Sequence, residues 1–434
     1  MPTTLLTRDA GFAAAFTAFL AKGREEKTDV DDVVGDILDD VKARGDAALI
    51  DYTARFDRVT LTAAQLRVSA DEITAAATSC DAATLESLRN AAARIRDYHR
   101  RQMPQDVSYQ DAHGIGLGWR WTPVSSAGLY VPGGTAPLFS SVLMNAIPAK
   151  VAGVRRLVVT MPMPDGHTNP LMLAACAIAE VDEVYRVGGA QAIGALAYGT
   201  ATIRAVDKIV GPGNAYVASA KKQVFGAVGI DMVAGPSEVT VIADTLNDPT
   251  WIAADLLAQA EHDSSAQSIL ITDDAAYAER VKSAVDDLLK VLPRGGIAAK
   301  SWADHGLVVI VDNLEAAVPL VDQIAPEHLE LAVNDPRPLL AKVRHAGAIF
   351  IGRHTPEAVG DYIAGPSHVL PTSGAARYSS GLGVFDFLKR TSLIDCTAAG
   401  LRAIGPDAVR MARAEALDGH ARSVAVRLNI GPEG

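Results

Sequence analysis

The feature that most restricts the fold is a regular alternation of apolar runs and helical segments, which begins at residue 154. Its first half consists of VRRLVVTMP (154–162), NPLMLAACAIAEV (169–181), EVYRVGG (183–189), AQAIGALAYG (190–199), DKIVGPGN (207–214) and AYVASAKKQVFG (215–226). Short runs rich in Val, Ile and Leu are typical of buried strands, and the longer segments have helical periodicity. This order predicts a parallel sheet with helices on both faces.

The alternation then repeats. The predicted strands of the second half lie at 237–244, 267–273, 305–312 and 347–352, and its predicted helices lie at 248–262, 275–292 and 314–325. Asn169 and Asp248 each precede a proline at a predicted helix start, which is the arrangement expected of an N-cap and a first helical residue. The sequence therefore predicts two α/β units in series.

The two ends of the chain have a different character. Residues 1 to about 105 have apolar positions at three- and four-residue spacing and are predicted to be helical, with a solvated basic face from Arg94 to Arg101. Gly, Trp and β-formers from residue 115 predict strands and turns. The last 50 residues are predicted to lack strands and to form two short helices joined at Gly419, a tail that packs on another surface such as a partner subunit.

Composition excludes several classes of protein. The 434 residues are 49% hydrophobic and 21% charged, which is typical of a globular chain. The net charge of −11 argues against nucleic acid or a membrane surface as partner. Cys80, Cys176 and Cys396 form no closely spaced pair, so a cytoplasmic location is expected. The longest charge-free run, 121–149, is interrupted by Pro and Gly and predicts no membrane helix.

Two short segments carry the first candidates for chemistry. Gln259 and His262 end a predicted helix with a spacing that places both on one face, as metal ligands require, although a His there is more often a cap or an ion-pair partner. Pro326 is predicted to open a helix with Glu327 and His328 in its first turn. The helix dipole would then keep Glu327 ionised and His328 neutral, as two general bases require; the alternative is that both are ordinary residues of a helix start.

Further candidates follow towards the C-terminus. Asp361 is predicted near the end of a short helix, where its charge opposes the dipole and a cation would compensate. His368 lies in a Gly-Pro-Ser-His loop, and Glu415 and His420 flank Gly419, so their relative orientation cannot be set by helical spacing. Taken alone, each of these residues would more often be an ordinary residue without a functional role.

Four glycine-rich stretches, at 130–134, 187–191, 211–214 and 235–237, complete the pattern, and three of them follow predicted strands. Open α/β sheets bind ligands at that end of their strands. None of the stretches has the G-x-G-x-x-G spacing followed by an acidic residue, so a dinucleotide would bind here by another geometry.

Together these segments resemble the histidinol dehydrogenase family over nearly the whole chain, and least in the first 100 or so residues. The matching stretches are GLYVPGGTAPLFSSVLMNAIPAKVAGV (128–154), VGGAQAIGALAYGT, VDKIVGPGNAYVASAK, AGPSEVTVIAD, DLLAQAEH, APEHLEL, GDYIAGPSHVLPTSG, FLKRTS and AEALDGHARSVAVR. The resemblance implies an NAD-dependent oxidoreductase that acts on a CH–OH group. Its substrate would be L-histidinol, which it would oxidise through L-histidinaldehyde to L-histidine in histidine biosynthesis.

The resemblance also implies the roles of individual residues. One Zn²⁺ per subunit would be held by Gln259, His262, Asp361 and His420, the last from the other protomer of a homodimer with shared active sites. Glu327 and His328 would be the acid/base pair. Besides the zinc ligands and His328, the residues in contact with substrate would be Ser237, His368 and Glu415. The NAD⁺ site would be lined by Tyr130, Gln191 and Asn214.

The fold that the resemblance implies has two Rossmann-like parallel-sheet units in series, an α-helical N-terminal region and a helical C-terminal dimerisation tail. Residues 1–25 would be an N-terminal helical arm. A discontinuous domain, 26–128 plus 237–380, would hold the metal and acid/base residues, and 129–236 would hold the NAD⁺ turns. Residues 381–434 would form the tail that crosses to the partner.

Other functions remain open at this point. One is a paralogous zinc- and NAD-dependent dehydrogenase of another small polyol, such as a sulfonated diol. Another is a zinc hydrolase in which Glu327 activates metal-bound water, and a third is a non-catalytic metal-binding protein. Manganese or cobalt could occupy the same nitrogen and oxygen ligands. A thioester-forming aldehyde dehydrogenase is disfavoured, because no cysteine lies in the glycine turns or beside Glu327.

Overall fold

A computed structural model describes residues 1–24, 30–133, 138–233 and 235–431. Its strands are β1 (Thr3–Leu6), β2 (Val107–Gln110), β3 (Gly116–Pro123), β4 (Ser126–Tyr130), β5 (Arg156–Thr160), β6 (Glu183–Tyr185), β7 (Lys208–Val210), β8 (Gly229–Ile230), β9 (Glu238–Ala243), β10 (Gln267–Thr272), β11 (Leu307–Ile310), β12 (His328–Ala332), β13 (Ala348–Ile351) and β14 (Leu388–Asp395).

Its helices up to the middle of the chain are α1 (Phe12–Arg24), α2 (Asp31–Arg44), α3 (Asp46–Phe56), α4 (Ala63–Leu66), α5 (Ala70–Ser79), α6 (Ala82–Arg100), α7 (Phe139–Ala152), α8 (Pro170–Ile178), α9 (Gly189–Tyr198) and α10 (Ala215–Val224). The remaining ones are α11 (Pro249–Ala260), α12 (Ala275–Leu289), α13 (Gly295–His305), α14 (Ala317–Ile324), α15 (Arg337–Leu340), α16 (Glu357–Tyr362), α17 (Ala398–Ala414) and α18 (Asp418–Leu428). Short 3₁₀ turns lie at Pro164–Gly166, Leu314–Ala316, Ala375–Arg377 and Val384–Phe387.

The chain divides into two compact units, and the larger one comprises 1–102 and 125–387. It contains a six-stranded parallel sheet in the order β1-β11-β10-β9-β12-β13. Strands β9 and β10 are buried at every residue, as expected for a parallel sheet that is covered on both faces. Successive strands extend from β9 to one side as far as β11, and β12 then pairs on the other side of β9.

A second parallel sheet in the same unit has the order β6-β5-β4-β7-β8. From β4 the sheet extends to one side through β5 and β6, and β7 pairs on the other side of β4. The strand order therefore reverses between β4 and β7. The predicted cap of α8 is confirmed, since Asn169 accepts a hydrogen bond from the backbone N–H of Leu171 at 2.9 Å. Asp248 caps α11 in the same way. The expectation of a mixed α/β chain with parallel sheets is confirmed.

The N-terminal region contributes to both sheets. The prediction of helix from residue 1 is wrong at Thr3–Leu6, because these residues form an edge strand that pairs in parallel with β11. Helices α2 and α3 bury Val34, Val41 and Leu49 against the core of the five-stranded sheet. This contact differs from the expectation that residues 26–128 belong to the domain of the six-stranded sheet. The expected domain boundaries stay a prediction.

The smaller unit comprises 103–124 and the chain from 388 onward. Its three strands form an antiparallel sheet in the order β14-β3-β2, and α17 packs on α18 through Val409, Ala421 and Ala425. The prediction that the last 50 residues lack strands is therefore wrong at β14. The helix junction also lies elsewhere: Gly419 is inside α18, and the break comes before it at Ala416, whose φ is 57°.

Among the described residues, no helix is both long enough and apolar enough to cross a bilayer.

Candidate functional site

The acid/base candidates lie at the amino-terminal edge of the six-stranded sheet. His328 is the first residue of β12 and pairs in register with Val239 of β9, and Ser237 directly precedes β9. The prediction that Glu327 and His328 occupy the first turn of a helix is wrong. Pairing with β9 and β13 on both sides fixes an extended backbone here, which overrides the local preference of the segment after Pro326.

The ring of His328 is buried, with 3% of the residue exposed, and it has one close backbone partner. Its Nδ1 lies 3.1 Å from the carbonyl oxygen of Glu238. A carbonyl can only accept, so Nδ1 carries a hydrogen and donates it. The other ring nitrogen, Nε2, is buried and has no hydrogen-bond partner among the described residues. In the neutral ring this nitrogen holds the lone pair that can accept a proton.

Three carboxyl groups surround this ring. Glu327 Oε2 lies 3.7 Å and Glu357 Oε1 4.0 Å from Nδ1 of His328, and Asp361 Oδ1 lies 3.6 Å from its Nε2. Glu327 also accepts a hydrogen bond of 2.9 Å from the backbone N–H of Glu238. Ligand atoms from His328, Glu357 and Asp361 all lie within 4.8 Å of one another. This is the spacing of donor atoms that converge on one metal ion.

Two of the other predicted residues join this group from α11 and the turn after it. Gln259 is 1% exposed, and its amide fits between Glu357 Oε1 at 2.5 Å and the backbone N–H of Glu238 at 2.8 Å, with the nitrogen assigned to face the carboxylate. His262 follows α11 and is exposed at the edge of the group. It interacts electrostatically with Asp361 and His328, so the structure brings Gln259, His262 and Asp361 together.

His368 reaches the same group from the loop after α16. Its Nε2 lies 3.2 Å from Oγ of Ser141, a residue of the first turn of α7. Desolvation lowers the pKa of His368, while the charge of Asp361 acts in the opposite direction. Helix α7 follows β4 of the five-stranded sheet. This contact therefore joins the acid/base group at the six-stranded sheet to a helix of the five-stranded sheet.

Burial and the close approach of like charges shift the pKa values of the residues in this group. Desolvation raises the pKa of Glu327 to about 7, against the charge of His328, which lowers it. Desolvation likewise raises the pKa of Glu357 to about 8. For His328, burial lowers the pKa, but the charges of Glu357, Glu327 and Asp361 outweigh it and the net direction is upward. The predicted charge states, an ionised Glu327 and a neutral His328, are based on a helix dipole. In the structure, burial and neighbouring charges set the two pKa values instead.

A divalent cation fits these residues. Glu357 Oε2, like His328 Nε2, is buried without a hydrogen-bond partner in the described part of the chain. Buried carboxylates without a compensating cation are costly, and here three of them surround one imidazole. The oxygen and nitrogen donors suit zinc and also other divalent transition metals.

The candidate cofactor residues lie at the carboxyl-terminal edge of the five-stranded sheet. Tyr130 ends β4, and its hydroxyl oxygen accepts a 3.1 Å hydrogen bond from the backbone N–H of Gly189. Gln191 is buried in the first turn of α9, and Asn214 caps α10 just after β7. Tyr130 and Asn214 thus flank the point where the strand order reverses, which is where open α/β sheets bind nucleotides. Gly134, in the first of the glycine stretches, lies outside the described residues.

Glu415 and His420 belong to the smaller unit. Glu415 follows α17 and His420 lies in the first turn of α18, and both are exposed in the single chain.

Glu357 is the participant that sequence reasoning missed. It lies four residues before Asp361, a spacing that places both carboxylates on one face of α16, and this was the available signal. Its backbone N–H donates to Glu330 Oε1 at 2.7 Å, so a second buried carboxyl group fixes the start of α16.

Comparison with known proteins agrees with this geometry. The sequence model of the family described as histidinol dehydrogenase matches residues 20–428. A histidinol dehydrogenase of Rhodospirillum rubrum is 63% identical over 434 residues, 100% of both chains, and one of Bradyrhizobium diazoefficiens is 60% identical over 99% of this chain and 100% of that one. The crystal structure of histidinol dehydrogenase from Elizabethkingia anophelis superposes with a TM-score of 0.94 at 37% identity, covering 99% of this chain and 98% of that one. This chain belongs to the histidinol dehydrogenase family.

Proposed function

We propose that this protein oxidises L-histidinol through L-histidinaldehyde to L-histidine, a reaction of histidine biosynthesis. The observation that carries the proposal is the buried ring of His328 in a chain of this family. Its Nε2 has no hydrogen-bond partner among the described residues, and its Nδ1 lies 3.7 Å from the carboxyl group of Glu327. A base and a second acid/base group side by side suit an alcohol oxidation followed by hydration of the aldehyde.

The hydride acceptor would be NAD⁺, held by Tyr130, Gln191 and Asn214, and it would take one hydride in each of the two oxidations. Support comes from the position of Tyr130 and Asn214 at the reversal of strand order. Asn214 begins α10, so free backbone N–H groups at that helix start also favour the phosphates of a dinucleotide.

Zinc, one ion per subunit, would be held by Gln259, His262, Asp361 and the partner subunit's His420. It would supply a Lewis-acid anchor for the imidazole and amine of histidinol and offset the carboxylate charges around His328. Ser237, His368 and Glu415 would position the rest of the substrate, Glu415 also from the partner subunit.

In the first oxidation, Nε2 of His328 takes the hydroxyl proton of histidinol while the carbon loses a hydride. The hydrogen bond from Nδ1 to the carbonyl oxygen of Glu238 keeps a hydrogen on Nδ1, so Nε2 is the free base once a bound cation offsets the carboxylate charges that raise the pKa of the ring. The ring is buried against β9, so this nitrogen has one orientation. The products of the step are the aldehyde, a reduced nicotinamide and a proton on His328.

In the second oxidation, Glu327 takes a proton from the water that adds to the aldehyde. A carboxyl group with a pKa of about 7 is a stronger base than an ordinary Glu and can both accept and return a proton near neutral pH. The hydrate anion that forms, with the proton of the water left on Glu327, then loses its hydride and becomes the carboxylic acid. Each turnover thus consumes one water and yields two reduced nicotinamides.

The proposal is tested by following NADH formation with histidinol or histidinaldehyde as substrate, in the wild type and in Glu327→Gln and His328→Asn. We expect the first variant to slow aldehyde oxidation and the second to slow alcohol oxidation, each by about 100-fold or more. Full rates in both variants would refute the assignment. Turnover of a sulfonated diol but not of histidinol would favour the polyol alternative, and hydrolysis without NADH would favour a hydrolase.

The shared site is tested by mixing two inactive variants, His262→Asn and His420→Asn, after reversible dissociation. If His420 acts in the partner's site, each mixed dimer has one site with both residues intact. Random assortment then restores about a quarter of the wild-type activity and zinc content. If His420 acts in its own chain, every site in the mixed dimer lacks one ligand and no activity returns.

A further inference from the structure

The turn between β7 and α10 has an unusually restricted backbone. Gly211 has a φ of +112°, and a Cβ at this position would lie 2.2 Å from the carbonyl oxygen of Tyr130. No other residue fits, because both the backbone conformation and the space require glycine. The turn therefore packs directly on the end of β4, and any shift of Gly211 moves it against Tyr130.

A buried ion pair holds both backbone polar groups of this glycine. The carboxylate of Asp231 accepts a hydrogen bond of 2.8 Å from the N–H of Gly211, and Nζ of Lys221 donates one of 2.9 Å to its carbonyl oxygen. Lys221 and Asp231 also contact each other directly, with side chains that are 3% and 0% exposed. Lys221 comes from α10, and Asp231 directly follows β8.

An ion pair is a costly way to fix a loop. Desolvation of two charges offsets most of their attraction, and apolar side chains of the same size often give equal or greater stability. What apolar side chains cannot do is bind the N–H and the carbonyl of one residue at once. The geometry therefore indicates that the pair serves the conformation of the turn rather than the stability of the sheet.

We propose that Lys221 and Asp231 are positioning residues that hold the turn from Gly211 to Asn214 in the shape that receives the dinucleotide. The inference rests on the proposed NAD⁺ site. Gly211 lies three residues before Asn214 and in contact with Tyr130, so its position sets the distance between two of the proposed cofactor residues. The pair acts through these residues and does not touch the reacting atoms.

The test compares the single variants Lys221→Met and Asp231→Leu with the double variant that carries both substitutions. Each single variant leaves one buried charge unpaired, so its melting temperature falls. The double variant carries neither charge of the pair, so we expect it to regain the wild-type melting temperature, while Gly211 lacks its two side-chain partners. We expect its KM for NAD⁺ to rise about tenfold, while kcat and the KM for histidinol change less than about twofold.

Lys222→Met is the matched control, because Lys222 is the next residue on α10, is exposed and pairs with Asp31 at 3.4 Å. It should leave both KM values unchanged. A double variant with wild-type stability and wild-type KM for NAD⁺ would overturn the proposal, since the pair would then serve stability alone.

Two further variants keep the test decisive. If the apolar double variant fails to fold, Asp231→Asn replaces it: an amide oxygen is a weaker acceptor for Gly211 than a carboxylate, and we expect a rise of about threefold in the KM for NAD⁺. A folded Asp231→Asn protein with an unchanged KM would also overturn the proposal. Asn214→Ala tests the cofactor site itself, and no effect of that variant on the KM for NAD⁺ would refute the site rather than the pair.

Discussion

Replacement of Glu183 by Gln should destabilise the five-stranded sheet at neutral pH much more than in acid. Glu183 begins β6 and forms two hydrogen bonds with Arg156 of β5, at 2.8 and 3.0 Å, and it accepts a third from the hydroxyl of Tyr185 at 2.9 Å. The hydrogen bonds to Arg156 are the main cause that lowers the pKa of Glu183 to about 2, against partial desolvation.

The size of the effect follows from this pKa. A value of about 2 in the folded chain against 4.5 for an ordinary Glu corresponds to about 3 kcal/mol of stabilisation. The pair lies near the surface, so solvent screening reduces the contribution, and we expect about 2 kcal/mol at pH 7. Because the folded pKa is the lower one, the contribution is complete above the unfolded value and is lost as the pH falls towards 2. About half should remain at pH 3.

Amide hydrogen exchange of peptides from β5 and β6 measures this without requiring two-state unfolding of the whole chain. At a given pH the intrinsic exchange rate cancels between wild type and Glu183→Gln, so the rate ratio reports the stability difference. We expect a ratio of about 30 at pH 7 and about 5 at pH 3. Glu86→Gln, which removes an exposed partner of Arg89, is the control and should give a ratio near one. A ratio near one for Glu183→Gln, or one that does not change with pH, would refute the reasoning.

Two further substitutions test the surroundings of the proposed sites. Gly189→Ala places a methyl group 2.7 Å from Oε1 of Gln191 at a φ of +65°. We expect this variant to raise the KM for NAD⁺ about tenfold. Gly296 has open space around it, so Gly296→Ala is the control and should leave this KM unchanged. Arg94→Ala removes hydrogen bonds to the carbonyl oxygens of Ile363 and Ala364 at the end of α16, and we expect about fivefold weaker zinc binding by competition with a chelator. The control is Arg89→Ala on the same helix, and equal zinc affinity in both Arg variants would contradict a role for Arg94 in holding α16.

Much of the fold could be predicted because its strands and helix starts carry local signals. Strands β9 and β10 contain the apolar runs VIA and ILI, and Asn169 and Asp248 each precede a proline, so composition and capping both indicate the observed elements. The short edge strand β1 lacks such a signal, since four residues without alternation become a strand only through pairing with β11.

The errors near the site have a different cause. Pro326 and an acidic residue after it are typical of a helix start, but the hydrogen-bonding groups of β9 and β13 on either side decide the conformation of His328. Pairing between segments almost 90 residues apart cannot be read from local propensity. The same holds for Glu357, whose spacing to Asp361 is visible in the sequence but whose burial is not. Gly419 lies inside α18, so a single breaker residue also misplaced the helix junction.

The position of His328 at the start of its strand leaves the opposite rim of the larger sheet without any assigned chemistry. At that rim β9, β10 and β11 run into Asp244, Asp273 and Asp312, in loops that the proposed reaction does not use. Asp273 and Asp312 are exposed, so we expect the loops that hold them to accept a tag or a tether to a support while turnover continues.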